Sequence, residues 1–192
     1  ETAFDALAGA PAIAEAVVDF EREVSVLVAR APGGETAVYD PVENRHENHI
    51  LRTTLAPARI PPAMAGEARE IGRRLAEALD LVGLLAIELF VARDGRLLFN
   101  EMAPRPHNSG HWTIDACAVS QFEMLVRAVC GLPLGSPERH SDAEMTNLLG
   151  DEAADWARLL AEPNACLHLY GKAEARPGRK MGHVTRLKTK SG

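Results

Sequence analysis

Three cysteines in 192 residues are too few and too scattered to build with. Cys117, Cys130 and Cys166 are odd in number and form no C-x-x-C pair. A disulfide framework and a thiolate metal site are therefore not expected, and the thiols read as reduced, mostly buried groups of a cytoplasmic protein. No apolar run approaches the roughly 20 residues of a membrane span. The acidic N-terminus lacks the positive start of a signal peptide. No internal repeat or low-complexity tract is present. The net charge of −6 disfavours a nucleic-acid partner. With 46% apolar and 25% charged residues the composition is that of an ordinary globular protein. The length suits one large domain, or one and a small companion.

The charge is unevenly spread. Residues 172–192 hold seven of the 21 Lys/Arg and one acid, Glu174, for a local +6, which leaves −12 on the remainder. A basic tail on an acidic protein fits a small phosphorylated ligand better than a polyanion. Lys172, Arg176, Arg179 and Lys180 flank a Pro-Gly turn and form a candidate phosphate clamp. Lys188 and Lys190 read as a frayed, solvated end.

The densest chemistry lies in residues 86–111. Segments 86–92 and 97–101 read as strands joined by Arg93-Asp94-Gly95-Arg96, and Asp-Gly between apolar runs is a strong hairpin signal. With Asp94-Gly95 as a two-residue loop, Arg93 faces Arg96, Phe90 faces Phe99 and Glu88 faces Glu101. Opposed like charges with Cβ atoms about 5 Å apart destabilise a hairpin. A shared proton, a basic residue or a divalent cation must compensate. Two hard carboxylates suit Mg²⁺, with phosphates completing its shell. A loop carrying Arg105, His107, Asn108, Ser109 and His111 follows. Arg105 sits between two prolines that restrict its backbone, so its guanidinium is preorganised for phosphate or bicarbonate.

The rest of the chain frames that centre. Residues 1–10 read as the end of a helix or loop, 12–18 as a short strand, and 23–30 as a strand with Val24, Val26 and Val28 on one face. Ala31-Pro32-Gly33-Gly34 turns into Thr36–Tyr39. Asp40–Ile50 reads as polar and irregular; its His46/His49 pair lacks the further ligands that zinc needs. A helix is expected over 63–80 with Pro62 near its start, burying Ala68, Ile71, Leu75, Ala78 and Leu79. Ser120 and Glu123 form a capping box for a helix through Phe122, Leu125, Val126 and Val129, which stops at Gly131. Residues 132–137 read as a linker. Beyond it come strands at 144–149 and 165–170, a helix near 152–161 and a hairpin around 176–179. The class is α+β, divided into residues 1–133, with a hinge near 15–23, and a small β-rich unit at 134–192.

These residues resemble a known family. Asn100-Glu101-Met102-Ala103-Pro104-Arg105-Pro106-His107-Asn108-Ser109-Gly110-His111-Trp112-Thr113, with Ser120-Gln121-Phe122-Glu123 and Arg176-Pro177-Gly178-Arg179-Lys180-Met181-Gly182-His183, resembles the N5-carboxyaminoimidazole ribonucleotide synthases. These ATP-grasp ligases of purine biosynthesis are also called the ATPase subunit of phosphoribosylaminoimidazole carboxylase. The similarity extends through Phe20–Val26 and His49–Thr54. It implies the C-terminal part of an ATP-grasp fold, an antiparallel sheet with packed helices. It further implies Mg²⁺ (or Mn²⁺) on Glu88 and Glu101, ATP gripped by Glu15, Ala16, Val17 and Val18, and ribose on Glu23. His46, Asn100 and Glu101 would add nucleotide contacts. Arg105, His107, Asn108 and Ser109 would form the catalytic loop where bicarbonate meets aminoimidazole ribonucleotide. Lys172, Arg176, Arg179 and Lys180 would hold the ribonucleotide phosphate.

Two departures qualify the resemblance. Many ATP-grasp ligases place a metal-binding Asn two residues after the second glutamate, where this chain has Ala103; Asn100, on the other side, should point away by strand alternation. The family's N-terminal domain and glycine-rich, phosphate-covering loop have no counterpart here. The implied reaction carboxylates the exocyclic amine of aminoimidazole ribonucleotide through carboxyphosphate, releasing ADP and phosphate, in a cytoplasmic homodimer. The competing expectations are another ATP-grasp carboxylase or ligase, and a non-catalytic nucleotide-binding or dimerisation module.

Overall fold

The computed structural model describes residues 2–191; Glu1 and Gly192, at the ends of the two expected domains, lie outside the described residues. The elements run α1 (Thr2–Ala6), β1 (Phe20–Arg30), β2 (Thr36–Val38), β3 (Val42–Glu47), β4 (Ile50–Ala56), α2 (Pro62–Ala78), β5 (Gly83–Ala92) and β6 (Leu97–Ala103). After a 3-10 turn at Asn108–Gly110 come α3 (Thr113–Ala116), α4 (Gln121–Val129) and β7 (Asp142–Leu149). A second 3-10 turn, α5 (Trp156–Leu160), β8 (Ala165–Leu169) and β9 (Lys180–Lys188) complete the chain. The strands form one antiparallel sheet in the order β6-β5-β1-β3-β4-β7-β9-β8, with β2 against the far half of β1. β7 adds directly to β4, so the C-terminal strands continue the first sheet.

Side-chain alternation sorts the sheet into two buried faces. Val24, Val26 and Val28 of β1, with Leu85, Ile87 and Leu89 of β5, pack under Ala68 and Ala76 of α2. Leu27 and Ala29, with Leu84 and Ala86, pack with Trp112, Met124 and Met145 on the other face. Ser25 and Glu88, paired across β1 and β5, continue that second face. The face therefore grades from apolar to polar along two strands, and the site lies at the polar end.

Several expectations change. Residues 12–18 form no strand: Ile13 is 82% exposed and Val17 fully so. Apolar side chains there meet no neighbouring strand, and pairing begins only at Phe20 opposite Ala92. The polar stretch 40–50 is a hairpin, β3–β4, turned by Asn48 and His49, both at positive φ (50° and 63°). Asn and His tolerate that conformation better than most residues. α2 buries Ala68, Gly72 and Ala76, whereas Ala78 and Leu79 are exposed. A Cβ on Gly72 would already lie 3.3 Å from Val26, so small residues set the helix-to-sheet spacing.

α4 turns a different face inward than its apolar spacing predicts. Gln121, Met124 and Ala128 are buried, while Phe122, Val126 and Val129 are 41%, 54% and 53% exposed. The Gln121 amide clamps the backbone of His107 and so fixes the helix rotation. Lys188 is no frayed end: β9 runs through it between β7 and β8, and its Nζ bonds Glu144 at 2.7 Å. The Pro177-Gly178 turn lies within a ten-residue connection, 170–179, rather than closing a tight hairpin. Of the cysteines only Cys117 is buried, its thiol pushed up to about 12 by desolvation; Cys130 is exposed.

Candidate active site

The β5–β6 hairpin carries the paired carboxylates, by a route that differs from the expected one. Near the tip Val91 pairs with Leu97, Phe90 with Leu98 and Leu89 with Phe99. The loop holds three residues, closed by the Ala92 N–H donating to the Arg96 carbonyl and the Gly95 N–H to the Ala92 carbonyl, with Gly95 at φ +85°. Phe90 therefore faces Leu98 rather than Phe99, and stacks on Phe20 at 4.4 Å. A bulge then takes up Asn100, and the register beyond it restores Glu88 opposite Glu101. The loop residue and the bulge residue cancel. A bulge also re-aims its own side chain, so strict alternation does not decide where Asn100 points.

Glu88 and Glu101 line a cleft of about 450 Å³. Its other walls are His46, His49 and Leu51 of the β3–β4 hairpin, His107 and Asn108 of the loop after β6, Lys172 of the β8–β9 connection and Lys180 at the start of β9. Glu88 is largely buried and Glu101 is exposed. The Glu88 carboxyl is held below the usual carboxylate range, first by its hydrogen bond from His107 and less by His46 and Lys180, against the opposing cost of burial. The Lys180 ammonium is lowered by desolvation, although Glu88 raises it. Lys172 donates to the Lys180 carbonyl at 2.6 Å, which ties the two cations together. Such a wall suits an anionic ligand facing a carboxylate-held cation.

Behind the cleft a chain of buried polar groups supports the hairpin. His107 Nε2 lies 3.0 Å from Glu88 Oε1, and its Nδ1 lies 2.8 Å from Ser109 Oγ. Ser109 is fully buried, and its Oγ accepts from Ser25 at 2.8 Å. Ser25 Oγ accepts from the Asn44 amide at 2.9 Å, and Asn44 Oδ1 accepts from Thr54 at 3.1 Å. Ser109, expected in direct catalytic contact, thus spends its hydroxyl inside the protein. Sequence reading did not single out Ser25, Asn44, Thr54 or Gln121 as supports. The available signal was small polar side chains at inward strand positions.

Asn108 borders the cleft, yet both polar atoms of its side chain are buried and have no hydrogen-bond partner among the described residues. Gly110 must be glycine, since a Cβ would stand 2.4 Å from Gln121 Oε1 and 2.5 Å from Leu27. Arg105 is exposed and donates to the neighbouring Pro106 carbonyl. His111 turns away from the cleft and stacks between Phe122 and His183; burial lowers its pKa to about 4. Glu23 pairs with His46 Nδ1 at 2.5 Å. Glu15, Ala16 and Val17 are exposed on an extended approach to β1, with Val18 half-buried. Arg176 and Arg179 are drawn to Glu174 and do not line the cleft.

Asp115, His168 and His183 gather within 4.8 Å of one another. The two imidazoles stack at 4.6 Å with planes 17° apart, so no point within bonding distance of both lies near both ring planes, as a shared ion requires. This cluster is packing, with His168 bonded to Asp115 at 3.0 Å.

Residues 1–122 match the ATP-grasp domain, and residues 143–192 match the phosphoribosylaminoimidazole carboxylase C-terminal domain. The N5-carboxyaminoimidazole ribonucleotide synthase of Brucella melitensis is 56% identical, over 98% of this chain and 52% of its own length. That of Bacillus subtilis is 48% identical, over 92% of this chain and 47% of its own length. The N5-carboxyaminoimidazole synthase of Aspergillus clavatus, solved with ADP and 5-aminoimidazole ribonucleotide, superposes with a TM-score of 0.93 at 37% identity. That match covers 97% of this chain and 52% of the solved one. The chain thus spans about half the length of these relatives. Among the described residues no helix is long and apolar enough to cross a membrane.

Proposed function

The chain belongs to the ATP-grasp family, and from that premise we propose that it carries the cation and acceptor side of an ATP-dependent carboxylating ligase. The reaction is the one the relatives' names describe, N5-carboxylation of aminoimidazole ribonucleotide. The observation that carries this reading is the opposition of Glu88 and Glu101 across a hairpin, facing Lys172 and Lys180 over one cleft.

In the proposed reaction a bicarbonate oxygen attacks the γ-phosphorus of ATP, and the bond to the ADP oxygen breaks. The exocyclic amine then takes the carboxyl group from carboxyphosphate, directly or as released CO₂. Phosphate leaves and the amine loses a proton. Phosphoryl transfer asks a protein mainly for positioning and charge compensation. An all-oxygen pair, one member kept ionised by a histidine, fits Mg²⁺ or Mn²⁺. Glu88 and Glu101 would hold that ion, which when bound offsets the charge on the phosphates. Lys180 and Arg105 would orient bicarbonate beside them. Asn108, with free amide and carbonyl ends, would contact the acceptor or the carboxyl group. His107 and Ser109 would act by positioning rather than by touching substrate.

For ATP, the exposed Glu15–Val18 segment offers backbone groups to adenine, and Glu23 with His46 offers hydrogen bonds to the ribose. Asn100 would add a nucleotide contact. Lys172, with Arg176 and Arg179 once released from Glu174, would hold the ribonucleotide phosphate. The division at residue 133, work in the cytoplasm and a homodimer belong to the same proposal. The exposed α4 row Phe122, Val126 and Val129 supports an association surface.

In a protein of the relatives' full length that includes this chain, Glu101→Gln is expected to abolish ATP cleavage that depends on Mg²⁺, bicarbonate and aminoimidazole ribonucleotide. Circular dichroism should stay unchanged, because Glu101 is exposed. Wild-type turnover in that variant would end the assignment.

A further inference from the structure

We propose that Ser25, Asn44 and Thr54 are positioning residues that fix the tautomer of His107 and, through it, the aim of the Glu88 carboxylate. The inference rests on the reading of Glu88 as a cation ligand, but its first test does not.

An amide nitrogen can only donate and an amide oxygen only accept. Thr54 Oγ1 donates to Asn44 Oδ1 at 3.1 Å, which leaves the Asn44 amide N–H to point at Ser25 Oγ, 2.9 Å away. Ser25, already accepting, gives its single proton to Ser109 Oγ at 2.8 Å. Ser109 must then send its own proton onward, to His107 Nδ1 at 2.8 Å. The Ser109 backbone N–H reaches the same nitrogen at 3.3 Å. Nδ1 therefore accepts from both, and the neutral ring carries its proton on Nε2. That proton points at Glu88 Oε1, 3.0 Å away.

Four members of this chain are sealed from solvent: Ser25, Thr54 and Ser109 are fully buried and Asn44 is 4% exposed. Water cannot easily replace a lost link, so the direction set at Thr54 persists to the cleft. The chain also crosses the sheet through β4, β3, β1, the loop after β6 and β5. It binds the wall that carries His46 to the hairpin that carries Glu88. One carboxylate oxygen is thereby occupied and the other left for the ligand, the usual arrangement of an outer hydrogen bond behind an ionic site.

The decisive variant is Asn44→Asp, which changes one donor into an acceptor at constant shape. A carboxylate there would draw the Ser25 proton back. Ser109 would then donate to Ser25, and Nδ1–H of His107 would donate to Ser109. Nε2 would present a lone pair to Glu88, and the two would repel. The measurement is two-bond proton–nitrogen correlation on ¹⁵N-histidine-labelled protein at about pH 8. His107 is assigned by its loss in His107→Gln.

The unsubstituted protein should show the Nε2–H pattern, Asn44→Asp the Nδ1–H pattern, and Ser25→Ala a mixture. Ser25→Thr, which keeps the hydroxyl, should restore Nε2–H. If Asn44→Asp does not fold, the Ser25→Ala and Ser25→Thr pair decides. An unchanged pattern in the folded variants, or Nδ1–H in the unsubstituted protein, overturns the proposal. A second readout is Mn²⁺ affinity by electron paramagnetic resonance, expected to fall about tenfold in Asn44→Asp. Mn²⁺ bound equally by Glu88→Gln would defeat the ligand reading of Glu88, while the tautomer result still judges this proposal on its own.

Discussion

His107 and His111 are four residues apart in one loop, and the protein treats them in opposite ways. His107 meets an ionised carboxylate on one side and a directed line of hydroxyls on the other. His111 enters a column of rings, 4.8 Å from His183 and 5.7 Å from Phe122. Burial pushes His183 down to about 3 and His111 to about 4. The first environment keeps charge and proton direction; the second excludes both. Richness in histidine did not distinguish them. What did was the neighbouring strand: β5 brings Glu88 to one, and β9 brings another imidazole and the Lys180 ammonium to the other.

Acid should separate the two regions with the largest effect. A histidine with a depressed folded pKa binds its proton more readily when unfolded, so its contribution to stability is lost as pH falls below about 6.5. For His111 and His183 that loss should run from about pH 6.5 towards 4, and together reach on the order of 5 kcal/mol. Glu88 is lowered from 4.5, so its contribution is complete above that value and lost only below it. Urea titrations across pH should therefore show the stack failing first. His111→Phe, which keeps the stacking, should remove part of the upper window alone. A pH-independent midpoint between 6.5 and 4.5 would break the contrast.

Gly110, between the two histidines, should come next. Gly110→Ala forces both Gln121 and Leu27 to move and should cost about 1–3 kcal/mol. Because Gln121 holds both the His107 backbone and the His111 ring, both regions should loosen together in hydrogen exchange. Loosening of only one would show that the loop is not a single unit. The smallest effect should be on Mn²⁺ affinity. His107→Asn is expected to weaken it about tenfold, as loss of an outer-shell partner usually does, and His111→Asn to leave it unchanged. Equal losses would erase the distinction.

The β5–β6 hairpin was legible from Asp94-Gly95 and the period-two strands around it, but the Glu88–Glu101 facing, reckoned from a two-residue loop, holds only because a longer loop and a bulge cancel. The actual tip was not: a three-residue loop and a bulge at Asn100 offset each other, and neither has a strong local signature. β3 was hidden because its outer half is polar and exposed and its turn uses Asn48-His49 in place of a glycine pair. β9 was hidden because His183, Thr185 and Lys188 do not look like an interior strand, yet β7 and β8 enclose it on both sides. On α4 the apolar count favoured Phe122 and Val126. The buried face was decided instead by one amide, Gln121, bonded to a segment 14 residues away. Local pattern thus reaches elements and pairings, whereas long-range polar bonds set which way a helix or a histidine turns.

The kink at Asn100 makes the outer end of the β5–β6 ribbon modular. Facing is reset there, so the tip beyond it keeps one count and the cleft end another. Residues could be added to or taken from the 93–96 reversal, or a tag grafted onto it, without rotating the acidic pair out of its seat. Deleting the kink itself would swap the inside and outside of that end in a single step.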